Sequence, residues 1–272
     1  MIRAPLDQRL SAAGIAPDAD PVDAWRRLRT ADGPAATIID LYELAARRRG
    51  LRADALPAAE RHALARSVMP DIWPHWNVTP GSERVGDVIT IVGYDPAWPD
   101  RFAAWRRAIR AALGTTAVHI EHVGSTSVPG LAAKPIVDVQ VSVVDPADEE
   151  TYVPELEAIG LQLRSRDTLH RYFRPFPGRS RDIHVHVCRL DSEWEAAHLR
   201  FRDYLRAHPE AREQYAQAKR AAAALWADDG LAYTDAKTEV ILDILEQAVQ
   251  AATPEHLDLQ DGHGRDGETR RS

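Results

Sequence analysis

The segment from His122 to Val143 constrains the fold most, because it joins a turn of small residues to a strand with two different faces. Side chains alternate between the two faces of a strand. One face here holds Val137, Val139, Val141 and Val143, and the other holds Ile136, Asp138, Gln140 and Ser142. The pattern predicts a buried strand that bears one isolated acid, Asp138.

The turn before this strand has the composition of a phosphate-binding loop. Gly124 allows a ligand to approach the backbone closely, and Ser125 and Thr126 offer hydroxyl and N–H groups. Lys134 adds a cation just before the strand. We therefore predict that the turn holds a phosphate beside a metal that is bound by Asp138.

A second strand is predicted in residues 181–189, where Asp182, His184 and His186 alternate with Ile183, Val185 and Val187. Two histidines at this spacing are able to meet one metal ion, and imidazole favours Mn²⁺, Zn²⁺ or Fe²⁺. Polar residues that alternate in this way are also typical of the solvated side of an antiparallel sheet. A neutral His184 or His186 is alternatively suited to act as a general base.

The Gly-Ser turn and the strand acid resemble the active-site signature of the polymerase-β-like nucleotidyltransferases, and the residues of this segment resemble those of the GrpB family. The resemblance continues through residues 94–102 (YDPAWPDRF), 183–187 (IHVHV) and 201–219, and it covers roughly residues 88–251. It implies an α+β fold, with a mixed β-sheet flanked by helices. In that fold the turn holds nucleotide phosphates, and strand acids bind a divalent metal such as Mg²⁺ or Mn²⁺.

The resemblance also implies which cations neutralise the phosphates. Arg202, Lys219 and Lys237 stand at matching positions of the family pattern. If the late strands are neighbours, Arg171 is expected to face the same cleft as Asp138. An arginine or lysine on a helix is, however, commonly solvated or paired with a nearby acid.

Gln140 departs from the superfamily pattern, which usually has a second carboxylate two residues after the first. The amide oxygen is able to bind a metal, but it brings no negative charge for a hard cation such as Mg²⁺. The predicted metal ligands are therefore Asp138 and Gln140 together with His184 and His186.

The leading hypothesis is metal-dependent nucleotidyl or phosphoryl transfer from an NTP to a small-molecule acceptor. One alternative is a nucleotide-binding accessory domain with little turnover, because some actinobacterial GrpB domains are fused to dephospho-CoA kinase. Another is a scaffold recruited for a different reaction on an anionic metabolite, with a histidine-lined site for Zn²⁺ or iron. Metal dependence distinguishes these hypotheses.

Composition indicates a cytoplasmic protein that is neither a general nucleic-acid binder nor a membrane protein. The net charge of −7 and the pI near 5.9 argue against general binding to nucleic acid. The sequence shows neither a signal run nor a membrane-length apolar stretch. The single cysteine, Cys188, suits a reducing compartment.

We expect a helical segment with a connector at 1–80, a nucleotidyltransferase-like domain at 81–252 and a disordered tail at 253–272. Predicted strands lie at 88–92, 117–123, 136–143, 161–164, 170–174 and 182–187, and predicted helices at 6–13, 21–30, 35–49, 57–67, 98–113, 149–159, 192–207, 209–227 and 235–251.

Overall fold

The computed structural model describes residues 4–32, 37–57, 60, 63–64, 67–68, 88–166 and 170–252. The predicted tail at 253–272 and the connector residues 69–80 lie outside these ranges, as does most of the predicted helix at 57–67. The division into a segment at 1–80 and a domain at 81–252 stays a prediction.

The architecture is α+β, as predicted, with a five-stranded mixed sheet in the order β1-β2-β5-β4-β3. The β2 and β5 strands are parallel, and the other neighbouring pairs are antiparallel. The parallel pair places Asp138 opposite His184, and Gln140 opposite His186. The strands are β1 (His119–Val123), β2 (Val137–Val143), β3 (Leu161–Arg166), β4 (His170–Pro175) and β5 (Ile183–Arg189).

Helices lie on both faces of this sheet. The helices that precede the first strand in the sequence are α1 (Leu6–Ala12), α2 (Pro21–Asp32), α3 (Ile38–Arg47) and α4 (Trp98–Leu113). The later helices are α5 (Val153–Ala158), α6 (Glu193–Ala207), α7 (Pro209–Trp226), α8 (Gly230–Asp235) and α9 (Thr238–Ala252). No helix in these described ranges is both long and apolar enough to cross a bilayer.

The valine face of β2 forms the core of the sheet region. Its four valines are each at most 2% exposed, and they cluster with Trp98, Ile109 and Leu156 of α4 and α5. Fully burying a valine side chain contributes about 1.5–3 kcal/mol. This face therefore anchors β2 and holds Asp138 and Gln140 on the opposite, polar face, over which α6 packs.

The N-terminal helices pack against α7 and α8. Leu41 and Tyr42 of α3 belong to the same buried cluster as Trp226 and Tyr233. The first turn of α3 is also tied to this region, because the N–H of Ile38 donates to the Asp235 carboxylate at the end of α8. The N-terminal segment thus contacts the helix that immediately precedes Lys237.

Two predicted elements differ from the structure. The predicted strand at 88–92 is absent apart from one bridge between Val92 and Ala133, and the N–H of Ile89 donates to the carbonyl of Ala227 instead of to a neighbouring strand. The predicted helix at 235–251 corresponds to α9 (Thr238–Ala252), and the short helix α8 (Gly230–Asp235) that precedes it was not predicted. The Asp229 side chain accepts the N–H groups of Leu231 and Ala232, so that a separate helix begins at Gly230.

Candidate functional site

The Gly-Ser turn lies directly against the strand acid. Val123, at the end of β1, pairs with Asp138, and Gly124 follows with a φ of +67°. A Cβ atom at Gly124 would collide with the Asp138 carboxylate and would lie 3.0 Å from its Cβ and Cγ atoms. The close approach and the left-handed backbone both require glycine here.

Hydrogen bonds hold the turn in one shape. The Ser127 hydroxyl donates to the Gly124 carbonyl over 2.6 Å, and the Arg206 guanidinium donates to the Ser127 carbonyl over 2.8 and 3.0 Å. The Thr126 hydroxyl is buried 3.0 Å from Nε2 of His122. Of the two hydroxyls predicted to contact phosphate, only that of Ser125 is partly exposed.

Asp138 forms a close pair with His184. His184 Nδ1 lies 3.1 Å from Asp138 Oδ1, and His186 Nε2 lies 3.9 Å from the same oxygen. Burial lowers the pKa of His184 to about 4, so its ring is neutral at pH 7. A carboxylate only accepts hydrogen bonds, so the His184 proton sits on Nδ1 and Nε2 is left as an acceptor.

The pKa of Asp138 lies below its ordinary value. Burial raises this pKa, but the hydrogen bond from His184, together with the nearby His186, lowers it further than burial raises it. Asp138 therefore stays ionised, and its Oδ1 atom is already engaged by His184.

The four predicted metal ligands share one sheet face but do not fit a metal centre formed by the protein alone. The Gln140 side chain is fully buried, and neither of its amide atoms has a hydrogen-bond partner among the described residues. In the ranges that the structure describes, no group of three or more histidines, cysteines, aspartates or glutamates is arranged to hold a metal ion. Asp138 Oδ1 instead accepts a hydrogen bond from His184.

Lys134, Lys219 and Lys237 converge beside this pair. Lys134 Nζ and Lys237 Nζ lie over the ring of Tyr233, at 4.9 and 4.2 Å from its centroid. Lys219 Nζ lies 4.7 Å from the ring centroid of Tyr215 and donates to the carbonyl of Ala132. The three lysines that were predicted to contact phosphate lie far apart in the sequence but meet at one site.

Burial changes the charge of two of these lysines. It lowers the pKa of Lys219 to about 7, with a further lowering from the charge of Lys237. It also lowers the pKa of Lys237 to about 7, with a further lowering from Lys134. Asp138 acts in the opposite direction on both, which places its charge near both ammonium groups.

Arg202 and Arg171 are placed differently from the lysines. Arg202 is near the turn, but it is paired with Glu121 at 2.8 Å and with Asp203 at 2.7 Å. The expectation that Arg171 faces the same cleft as Asp138 is wrong. In β4 it is Tyr172 that shares a face with His186, so the Arg171 side chain lies on the other face of the sheet and pairs over 2.6 Å with Glu149.

Sequence reasoning missed the tyrosines that hold the lysines. Tyr215 precedes Lys219 by four residues, and Tyr233 precedes Lys237 by four. Residues four apart are neighbours on a helix, so this repeated Tyr-x-x-x-Lys spacing was the available signal. The Ser125 side chain also acts on the pKa of Tyr215, which places the turn beside the tyrosine that holds Lys219.

An aromatic group on the same sheet face was also missed. The ring centroids of Trp194 and His198 lie 3.7 Å apart, and Trp194 is 5.1 Å from His170 and 5.8 Å from His186. The group joins α6 to β4 and β5. The four-residue spacing of Trp194 and His198 is visible in the sequence, but His170 and His186 lie on other strands, so no local pattern predicts that they join the group.

The GrpB profile, described as GrpB protein, matches residues 88–247 and so includes the turn, both strands and all three lysines. The chain belongs to the GrpB family. This GrpB chain is 44% identical over 160 residues to a UPF0157 protein of Halalkalibacterium halodurans, covering 59% of this chain and 82% of that protein. It is 46% identical over 160 residues to a UPF0157 protein of Streptomyces coelicolor, covering 59% of this chain and 84% of the other.

A solved structure and an enzyme add two further similarities. The crystal structure of the conserved protein GrpB from Enterococcus faecalis matches with a TM-score of 0.54 and 33% identity, covering 60% of this chain and 98% of that one. The dephospho-CoA kinase of Mycobacterium tuberculosis is 32% identical over 195 residues, covering 61% of this chain and 47% of the kinase.

Proposed function

We propose that this GrpB protein binds an NTP and transfers a group from it to a hydroxyl of a small-molecule acceptor. Transfer of the nucleotidyl group releases pyrophosphate, and transfer of the γ-phosphoryl group releases the nucleoside diphosphate. The observation that carries the proposal is the convergence of the Gly124 turn, three lysines and the Asp138–His184 pair. Phosphoryl chemistry requires mainly positioning of the phosphates and neutralisation of their charge. The site combines elements suited to both tasks with a candidate base.

The turn and the lysines would bind the phosphates. Gly124 and Ser125 are partly exposed at the edge of the site, as is Lys134. Lys219 and Lys237 lie deeper, and the tyrosine rings beneath them hold their ammonium groups in place without cancelling the charge. Ser125 lies near Tyr215, so the turn is close to the ring that holds Lys219.

His184 is the proposed general base for the acceptor hydroxyl. Asp138 accepts the Nδ1 proton, which fixes the ring orientation and leaves Nε2 unprotonated. Asp138 would also stabilise the imidazolium that forms when Nε2 takes a proton. Asp138 is therefore assigned as a positioning residue in this reaction.

Similarity to the mycobacterial dephospho-CoA kinase supports a second candidate, a nucleotide-binding accessory domain with little turnover. Both candidates require the lysine cluster to bind phosphates. Only the transferase requires a base. His184 is thus the residue that separates the two functions.

The test compares the native chain with Asp138→Ala and His184→Asn. Thermal stabilisation by each NTP reports binding, because a ligand that binds only the folded state raises its apparent stability. NTP consumption with a pool of small hydroxyl and amine metabolites reports transfer. The asparagine amide retains a donor for Asp138 but removes the base.

For a transferase, His184→Asn keeps NTP stabilisation and loses turnover, whereas a native chain that binds NTP without turnover supports the accessory domain. His119→Asn is the matched control, because its side chain is 52% exposed and pairs with Glu195 away from the turn. Absence of stabilisation by any NTP would contradict both candidates.

A further inference from the structure

The lysines of this chain are confined to one site. The chain has 34 lysines and arginines in total, and lysine occupies only positions 134, 219 and 237. All three lie over the rings of Tyr215 or Tyr233 beside the Gly124 turn. Arginine serves at every other basic position. The difference in residue type therefore marks this site as one that uses the compact ammonium group.

Ammonium and guanidinium groups are not equivalent here. Lys134 and Lys237 share the single ring of Tyr233, at 4.9 and 4.2 Å. Two planar guanidinium groups need more space and form fixed forks, whereas ammonium groups are point charges with donors that rotate. The shared ring thus favours two lysines that direct several N–H groups at oxygen atoms of one ligand.

When all three lysines are protonated, positive charge exceeds negative charge at this site. The lysines act on one another, since Lys134 and Lys237 each lower the pKa of a neighbouring lysine. The acids that act on Lys237 are Asp138 and Asp235. Asp138 is shared with His184, and Asp235 also accepts the N–H of Ile38. Lys219 is 1% exposed and Lys237 is 9% exposed, so water screens the excess only weakly.

The same charges disfavour a divalent cation. A metal at Asp138 would lie near three ammonium groups and would meet one carboxylate, whose Oδ1 atom is engaged by His184. The position of a second carboxylate is occupied by Gln140, which is neutral and fully buried. Hard divalent cations bind best where several carboxylate or carbonyl oxygens converge.

The geometry points to a polyphosphate site that works without a divalent cation. The ammonium groups of Lys134, Lys219 and Lys237 contact the phosphates directly and provide the positive charge that Mg²⁺ provides at other phosphate sites. This inference rests on the proposed function, because it concerns the same site. It specifies the bound form of the substrate as the free triphosphate instead of its Mg²⁺ complex.

The experiment measures thermal stabilisation of the full chain by inorganic triphosphate and by ATP. Protein and ligands are passed over a chelating resin, and EDTA is kept well below the ligand concentration because EDTA is itself a polyanion. Matched samples receive Mg²⁺ or Mn²⁺ at constant ionic strength. We expect full stabilisation in the metal-free samples and a smaller one in excess Mg²⁺, because the metal competes with the lysines for the phosphates.

Variants assign the effect to the lysines. Lys237→Met and Lys219→Met are each expected to weaken triphosphate binding roughly 10- to 100-fold, which is the effect of losing one charge-assisted hydrogen bond. Arg220→Met is the matched control, because Arg220 is adjacent to Lys219 but is half exposed and paired with Glu213. Circular dichroism and the unliganded melting temperature confirm that each variant is folded.

The outcomes separate this inference from the proposed function. Stabilisation that appears only with Mg²⁺ or Mn²⁺ overturns metal-free binding and leaves the proposed function in place. Retention of metal-free stabilisation by both methionine variants also overturns the assignment to the lysines. Absence of stabilisation by either ligand, with and without metal, overturns both proposals.

Discussion

Lys219 is a position where stability and ligand binding are expected to oppose each other. Burial and the charges of Lys237 and Arg220 lower its pKa from 10.5 to about 7. At about 1.4 kcal/mol per pH unit, this difference means that a protonated Lys219 destabilises the unliganded fold by roughly 5 kcal/mol below pH 7. A neutral side chain of similar length removes this destabilisation.

The change proposed is Lys219→Met. The variant also loses the hydrogen bond to the Ala132 carbonyl, and an unsatisfied buried acceptor costs about 1–3 kcal/mol. We therefore expect the free energy of unfolding at about pH 6 to rise by roughly 2–4 kcal/mol. At that pH, the same variant should bind triphosphate less tightly.

The pH dependence has a defined sign. The folded pKa of Lys219 is lower than its unfolded value, so its destabilising effect is complete below about pH 7 and declines as pH rises towards 10.5. The advantage of methionine should therefore shrink across this window. Near its upper end only the lost hydrogen bond remains, and the variant should be slightly less stable than the native chain.

Urea denaturation of both proteins at several pH values between about 6 and 10 measures these differences, in buffers without phosphate. Arg189→Met provides the control, since the Arg189 side chain is exposed, pairs with Asp145 and does not act on the pKa of Lys219, so the pH dependence should stay close to native. A Lys219→Met variant that is less stable than the native chain at pH 6, or that has the same pH profile, would refute the argument.

Three further predictions follow from other contacts. Gly124→Ala should lower the free energy of unfolding by roughly 2–4 kcal/mol, because the added methyl group meets the Asp138 carboxylate. Gly130→Ala is the control: Gly130 also has a positive φ but has open space around it, so this change should cost only about 1 kcal/mol. Equal losses of stability by calorimetry would contradict the close approach of Gly124 to Asp138. Thr37→Ala should cost about 1 kcal/mol through loss of the α3 capping box and should leave triphosphate affinity unchanged, as measured by melting with and without ligand. Hydrogen bonds from Ser142, His119 and the Asp191 N–H outweigh burial and lower the pKa of Glu195, so ionised Glu195 stabilises the fold above its ordinary pKa, and this contribution is lost as pH falls through the folded pKa. The difference in stability between the native chain and Glu195→Gln should therefore shrink as pH falls below about 4.5. A difference that stays constant with pH in urea unfolding would exclude this effect.

Local patterns predicted the strands and the faces of the site well. The alternation of residues 137–143 correctly separated the valines from Asp138 and Gln140, and the same rule separated Val185 from His184 and His186 in β5. Period-two alternation is a property of the extended backbone itself, so it can be read without knowledge of the neighbours.

Contacts between distant segments were harder to predict. The expectation that Arg171 faces Asp138 was wrong, because strand adjacency does not determine which face each residue occupies. The short helix α8, which Asp229 caps and which ends two residues before Lys237, was not predicted. The tyrosines beneath the lysines were missed although their four-residue spacing is visible in the sequence.

The sequence by itself determined the two strand patterns and the glycine turn, because these depend on short-range periodicity and backbone sterics, and its resemblance to the GrpB family implied the α+β class. Only the tertiary structure decided that β2 and β5 pair in parallel, which brings Asp138 to His184 from 46 residues away. It also decided that three lysines meet at two tyrosine rings. The packing of whole helices and strands determines such contacts, and no local pattern contains it.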